Sequence, residues 1–213
     1  MTRLQNRSQP SAIKTVLLPT VALALLWSGI EPHDYATWFF ELFIGMAGIF
    51  LLVAIAPRFR FSTLVYVVVG AHFVNLAIGA KYTYADVPLF NWLRDSWGLS
   101  RNHFDRVGHF AQGFTPALVV REVLLRRTQI GRGWLLELVA ISTALAFSAG
   151  YEILEVVWVL VFYPAEGPEW LGMQNDPYDA QWDMACALCG AITAVVLLSR
   201  AQDRAIAALS RTD

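Results

Sequence analysis

Asp105, His109 and Gln112 stand at i, i+4 and i+7, so on a helix a carboxylate, an imidazole and a carboxamide share one face. Two other segments carry acids at helical spacing, Glu152 with Glu155 and Asp179 with Asp183. One imidazole with two or three carboxylates suits a divalent cation such as Zn²⁺ or Mn²⁺, because imidazole supplies nitrogen and the carboxylates neutralise charge. The same set suits proton binding, since histidine titrates near neutral pH. A third use is a grip on a cationic or hydroxyl-rich headgroup. Bare phosphate fits poorly unless a metal inverts the acidic field.

Some of these residues have plainer explanations. Asp176 followed by Pro177 reads as an N-cap with proline at the first helical position, and Asp179 then favours the helix dipole. Asp183 lies a turn further in, where capping has no role. Asn102 can likewise cap the segment that holds Asp105, which leaves both readings of Asp105 open, whereas His109 is beyond the cap's reach. A histidine simply paired with a carboxylate is the structural alternative. Glu152 and Glu155 could pair with Arg94, Arg101 or Arg106, but two glutamates in an apolar run favour a site. Gln174 and Asn175 carry no decisive signature, and His33 and His103 read as solvated. Gly113 and Pro116 read as packing and kink residues, and Ser148, Gly150, Gly190 and Ala191 as close helix contacts. Cys186 and Cys189, three apart, read as small buried hydrophobes rather than a disulfide.

The elements that must position these groups are apolar. The 213 residues are 56% hydrophobic and only 15% charged, with a mean hydropathy of +0.47. A soluble globular domain carries about 25% charged residues. The apolar residues fall in blocks of bilayer length, and a net charge of -1 offers no nucleic-acid reading. The expected fold is all-α, an integral membrane bundle of six transmembrane helices at 13–30, 35–56, 61–80, 105–125, 134–163 and 179–199. The first resembles a signal peptide, but the segments that follow it are themselves membrane-like, so it is expected to remain. Residues 81–104 mix tyrosine and tryptophan with charge and predict an interfacial amphipathic helix between spans three and four. The expected organisation is a cytoplasmic segment at 1–12, one membrane domain at 13–199 and a cytoplasmic tail at 200–213. Thirty helical residues extend about 45 Å against a hydrocarbon core of about 30 Å, so the fifth span must tilt, break or project. Whether it breaks near Glu152 is left open by the pattern.

Placing both termini in the cytoplasm puts Arg3, Arg7, Lys14, Arg58, Arg60, Arg121, Arg126, Arg127, Arg132, Arg200, Arg204 and Arg211 inside. Only Lys81, Arg94, Arg101 and Arg106 remain outside, which predicts an N-in, C-in topology. His109, Glu152, Glu155 and Asp183 then lie within about two helical turns of the outer boundary. Groups that are expensive to leave unpaired in a membrane, brought to one depth by three helices, are expected to converge. His72 is a weaker candidate for the same place.

The polar motifs at 102–114 (NHFDRVGHFAQGF), Arg121 with Glu122, Tyr151 with Glu152, and 172–184 (GMQNDPYDAQWDM) resemble the YjdF-like family of bacterial inner-membrane proteins, a domain of unknown function. The likeness spans 81–195 and implies a multi-pass protein of the cytoplasmic membrane. More distantly, Asp105 to His109 followed by Phe110, the glutamate-bearing helix, and Asp183 followed by Gly190 are similar to VanZ-like membrane proteins, some linked to glycopeptide-antibiotic resistance. Glu155 stands where that family usually has Gln, and Ala187 where it has Asn. The resemblance therefore implies fold and location rather than activity.

The expected function is a cell-envelope role in which His109, Glu152 and Asp183, assisted by Asp105, Glu155 and Asp179, bind a divalent cation or a polar headgroup. The alternatives are a metal-assisted hydrolase or transferase on a lipid-linked substrate, with Glu152 as general base, and a proton-coupled transporter. Glu41 and His72 are the only nearby hints of a path inward and neither is placed at the inner end; a purely structural role completes the set. No Gly-x-Ser-x-Gly, His-Glu-x-x-His or Walker signature is present. The expected partners are the bilayer and a cation or headgroup, without nucleic acid; oligomeric state is left open.

Overall fold

A computed structural model describes residues 12–162, 164, 165, 167 and 171–209. Arg3, Arg7 and Arg211 of the charge pattern lie outside the described residues. Among the described residues the chain is helical, without a strand. A π-helical turn, Ile13–Leu17, leads into α1 (Leu18–Ser28). Then follow α2 (Tyr35–Ile55), α3 (Thr63–Tyr82), α4 (Pro88–Trp97), α5 (Phe104–Arg127), α6 (Trp134–Phe162) and α7 (Asp179–Leu209).

Local chemistry sets several boundaries. Asp34 is extended and its carboxylate accepts the Thr37 N–H at 2.7 Å, which starts α2. That backbone bond holds the Asp34 carboxyl below the usual carboxylate range. Pro88 opens α4, and Gly98 closes it at φ +63°, a left-handed value that glycine adopts without a Cβ penalty.

Helices α2, α3, α6 and α7 are long and apolar enough to cross a membrane. The apolar stretch Ile13–Ser28 is shorter. Helix α5 has the length, at 24 residues, but carries charge at both ends. The fifth predicted span is unbroken: α6 passes through Glu152 as one helix of 29 residues, about 43 Å long at about 1.5 Å per residue. Helix α7 likewise continues past 199 to Leu209.

Contacts fix the relative directions. Ser62, just before α3, bonds Glu122 near the end of α5 at 2.8 Å through its N–H, so these two helices run oppositely. Arg121 reaches Glu137 at the start of α6 at 3.0 Å, making α6 antiparallel to α5. Helix α7 runs parallel to α5, with Asp183 beside Arg106 and Asp203 beside Arg121.

The α5–α7 pair is packed backbone to backbone. A Cβ added to Gly113 would lie 1.8 Å from the Ala187 carbonyl oxygen, and one on Gly190 would lie 1.9 Å from that of Phe110. Only glycine permits this approach, as expected of small-residue membrane contacts. Gly150 is a correction to that expectation, because a Cβ there would meet nothing within 4 Å. Beneath these glycines, Ala117, Leu118, Ala144, Ala191, Ala194 and Val195 form a small-residue core. A second core joins α1, α2 and α3 around Leu17, Leu42, Phe61 and Phe73. The outward faces are apolar too: Phe50 on α2 and Phe147, Ile153 and Leu160 on α6 are exposed, a surface suited to hydrocarbon. Cys186 is half-buried and Cys189 exposed, so the cysteines do not sit in the core; they face outward on α7 and are free.

Candidate functional site

Helix α5 presents Asp105 and His109 one turn apart, and the glycine contacts bring α7 close enough for Asp183 to meet them. The His109 Nε2 lies 3.4 Å from Asp105 Oδ1 and 3.7 Å from Asp183 Oδ2. The other ring nitrogen, Nδ1, faces Glu152 Oε1 of α6 at 3.6 Å. One donor atom from each of Asp105, His109 and Asp183 falls within 4.8 Å of the other two. All four residues are buried, with exposures of 4, 7, 3 and 8% for Asp105, His109, Asp183 and Glu152.

Two arginines lean on the same acids. Arg106 binds Asp183 directly and donates to Asp179 Oδ1 at 2.7 Å and Asp176 Oδ2 at 3.1 Å. Arg101 donates to Asp179 at 2.8 Å and Asp176 at 3.2 Å, and stands 3.7 Å from Asp105. Four aspartates thus face two guanidiniums, with Glu152 beyond them. Such an excess of acid out of water needs a proton or a cation to balance it. His103, at the mouth of this cluster, is held below its ordinary pKa by partial burial and by the guanidiniums of Arg101 and Arg106.

The expected site residues divide on this geometry. Asp105, His109, Glu152 and Asp183 come together. Asp179 is adjacent, but both its partners are arginines. The Glu155 side chain, one turn beyond Glu152, makes no hydrogen bond or ion pair among the described residues, and the charges nearest to it are the carboxylates of Glu41 and Glu152. Glu152 has His109 as its ion partner, whereas Arg101 and Arg106 are taken by aspartates and Arg94 by Asp95. Pairing of Glu152 with an arginine is therefore replaced by pairing with the imidazole.

Three residues contribute to the site in ways that the sequence did not show. Gln174 exchanges two hydrogen bonds with the Asn102 backbone, accepting its N–H at 2.8 Å and donating to its carbonyl at 2.9 Å. This clamps the loop before α7 to the loop before α5. Left-handed backbone at Gln174 and Asn175, φ +56° and +64°, shapes the turn, and Asn175 was its faint signal in the sequence. Asn102 itself is fully buried: its Oδ1 accepts the Phe104 N–H at 3.0 Å and its amide donates to Val87 and Asn91. The N-cap position of α5 is His103, without a side-chain cap, so the expected capping by Asn102 is replaced by a turn bond one residue earlier, and Asn102 also ties α4 to the site. Glu41 of α2 accepts a hydrogen bond from the Tyr151 hydroxyl at 2.9 Å, and the Tyr151 ring lies 6.2 Å edge-on from that of His109. That brings α2 to the site's edge.

At the opposite end of α5 a second polar group pins the bundle. Arg121, 2% exposed, binds Glu137, Gln202 and Asp203, while Glu122 receives the Ser62 hydroxyl at 2.6 Å and the Arg126 guanidinium at 2.8 Å. These charges are mutually satisfied, unlike those around His109.

Comparison with known proteins follows the same residues. Residues 13–204 match the family described as "Predicted membrane protein (DUF2238)". The chain belongs to this family. The inner membrane protein YjdF of Escherichia coli (strain K12) is 38% identical over 192 residues, covering 90% of this chain and 91% of that protein. No solved structure matches. With its long apolar helices, this family member is a multi-pass inner-membrane protein.

Proposed function

We propose that the protein is a six-span inner-membrane protein, with both termini inside, that binds a divalent cation of the Zn²⁺ or Mn²⁺ type through Asp105, His109 and Asp183 under its outer face. Helix α1 with its preceding turn, and α5, supply the two spans beyond the four apolar ones. Helix α4 lies in the interface, consistent with exposed Leu89, Trp92 and Trp97. Of the basic residues on the outer side, Arg101 and Arg106 are spent on aspartates, which strengthens the inside-positive bias.

The observation that carries the cation reading is the spacing around His109 Nε2. Two donors at metal distances of about 2.0–2.2 Å and tetrahedral angles stand about 3.4 Å apart. The observed separations are 3.4 and 3.7 Å. Glu152, on the far nitrogen, then acts as the carboxylate that orients a ligating histidine, rather than as a ligand itself. Asp176 and Asp179 hold the arginines that keep the remaining charge in balance, and Glu155 stands outside the set. The role that follows is retention of a cation in the cell envelope. The likeness to VanZ-like proteins rests on sequence motifs alone and lends no activity to this reading.

Metal analysis of protein purified into nanodiscs tests the proposal. Stoichiometric Zn²⁺ or Mn²⁺ is expected, and a His109→Ala, Asp183→Ala double variant should lose it. Metal retained unchanged by the double variant would sink the assignment.

A further inference from the structure

Next to the triad lies a group of polar atoms that cation binding does not use. Among the described residues, His72 Nε2 and Asn75 Oδ1 on α3, Gln112 Oε1 on α5, and Ser148 Oγ on α6 are buried without a hydrogen-bond partner. Native proteins leave only a few such atoms per hundred residues. Their positions here are ordered. Because α3 and α6 run opposite to α5, one turn back along α3 or α6 matches one turn forward along α5. Asn75, His109 and Glu152 therefore occupy one level, and His72, Gln112 and Ser148 the level one turn deeper.

Contacts anchor the upper level. His109 Nδ1 faces Glu152 at 3.6 Å, and a Cβ on Gly108, beside His109, would lie 3.6 Å from Asn75 Oδ1. Each helix gives one polar group to each level, and at the lower level Ser148 is 0% exposed. Deeper still, Ala117, Leu118 and Ala144 form an apolar layer that separates these groups from Arg121.

We propose that His72, Gln112 and Ser148, with Asn75 above them at the level of His109, form a second binding site for uncharged O–H groups, centred one helical turn inward of the triad. Carboxamide, imidazole and hydroxyl groups both donate and accept hydrogen bonds and carry no fixed charge, so they match water or a lipid-headgroup hydroxyl rather than an ion. The site goes beyond the cation reading and does not depend on it.

Gln112→Met, Ser148→Ala and the double variant, each unfolded thermally in nanodiscs with EDTA present, test it. A shared guest predicts that each single change lowers Tm by about 2–4 °C and that the double loses less than the sum, because the first change already expels the guest. Phosphatidylglycerol and phosphatidylethanolamine nanodiscs separate the sources. Stabilisation specific to the glycerol headgroup and lost in Gln112→Met assigns a lipid hydroxyl, and equal behaviour in both assigns water. Dry, unpaired groups would instead give variants of raised and additive Tm, which overturns the proposal. Metal content unchanged in Gln112→Met keeps this test apart from that of the triad.

Discussion

Adding one methyl group at Gly113 should dismantle a polar site that it does not touch. The new Cβ would stand 1.8 Å from the Ala187 carbonyl oxygen and 2.4 Å from its carbon, both backbone atoms that no rotamer change can move. Real Cβ contacts essentially never fall below 3.0 Å, so α5 and α7 must part by about 1.2 Å. The His109–Asp183 separation of 3.7 Å would open toward 5 Å, about 1.2 Å more and beyond what one metal ion bridges. Overpacking of this kind costs up to about 3 kcal/mol, and the better helix propensity of alanine returns about 1 kcal/mol. The net of about 2 kcal/mol corresponds to about 4–8 °C in a chain of this size. Thermal unfolding in nanodiscs, followed by tryptophan fluorescence, reads the stability, and metal content reads the site. Gly150→Ala is the control: no atom lies within 4 Å of its added Cβ, so it should keep the original Tm or slightly exceed it. A Gly113→Ala protein as stable and as metal-replete as Gly150→Ala would refute the argument that backbone contact positions Asp183.

Two further outcomes follow from the loops and from the Arg121 end of α5. Gln174→Ala removes both bonds to the Asn102 backbone and should lower Tm by about 2–4 °C, with faster proteolysis of the loop before α7; unchanged proteolysis would show that the clamp is not needed. Partial burial raises the Asp203 carboxyl, but hydrogen bonds from Arg121 and Arg132 outweigh it and leave the pKa below the usual value. A depressed folded pKa contributes stability above the unfolded value of about 3.9 and loses it as pH falls through the folded value. The Tm of the unaltered protein should therefore fall toward that of Asp203→Asn as pH drops below about 4, and parallel Tm curves across that range would contradict the pairing.

How far each residue could be read depended on how local its cause was. Asp34 and Pro88 announce helix starts through bonds within one turn, and the apolar blocks announce long helices because hydrocarbon demands them. The meeting of His109 with Glu152 and Asp183 was legible from topology and depth alone, since three helices ending on one side bring polar groups to one level. Gln174 was not legible: its role depends on two loops meeting across 72 residues, and a glutamine in a loop looks the same with or without a partner. Cys189 went astray for a related reason, since an apolar segment in a membrane does not tell a lipid-facing side from a core-facing one. Glu41 also depended on another helix, through Tyr151.

Composition and spacing by themselves determined that this chain is a helical membrane protein with an acidic and histidine-bearing end. Hydrophobic length and charge asymmetry act on each segment separately. Tertiary structure decided which acids hold arginines and which face the imidazole. Asp179 and Asp183 lie one turn apart on α7, yet Asp179 binds both guanidiniums while Asp183 also reaches His109. That division comes from the close α5–α7 approach at Gly113 and Gly190, where a methyl group's width separates a convergent site from a scatter of buried charges.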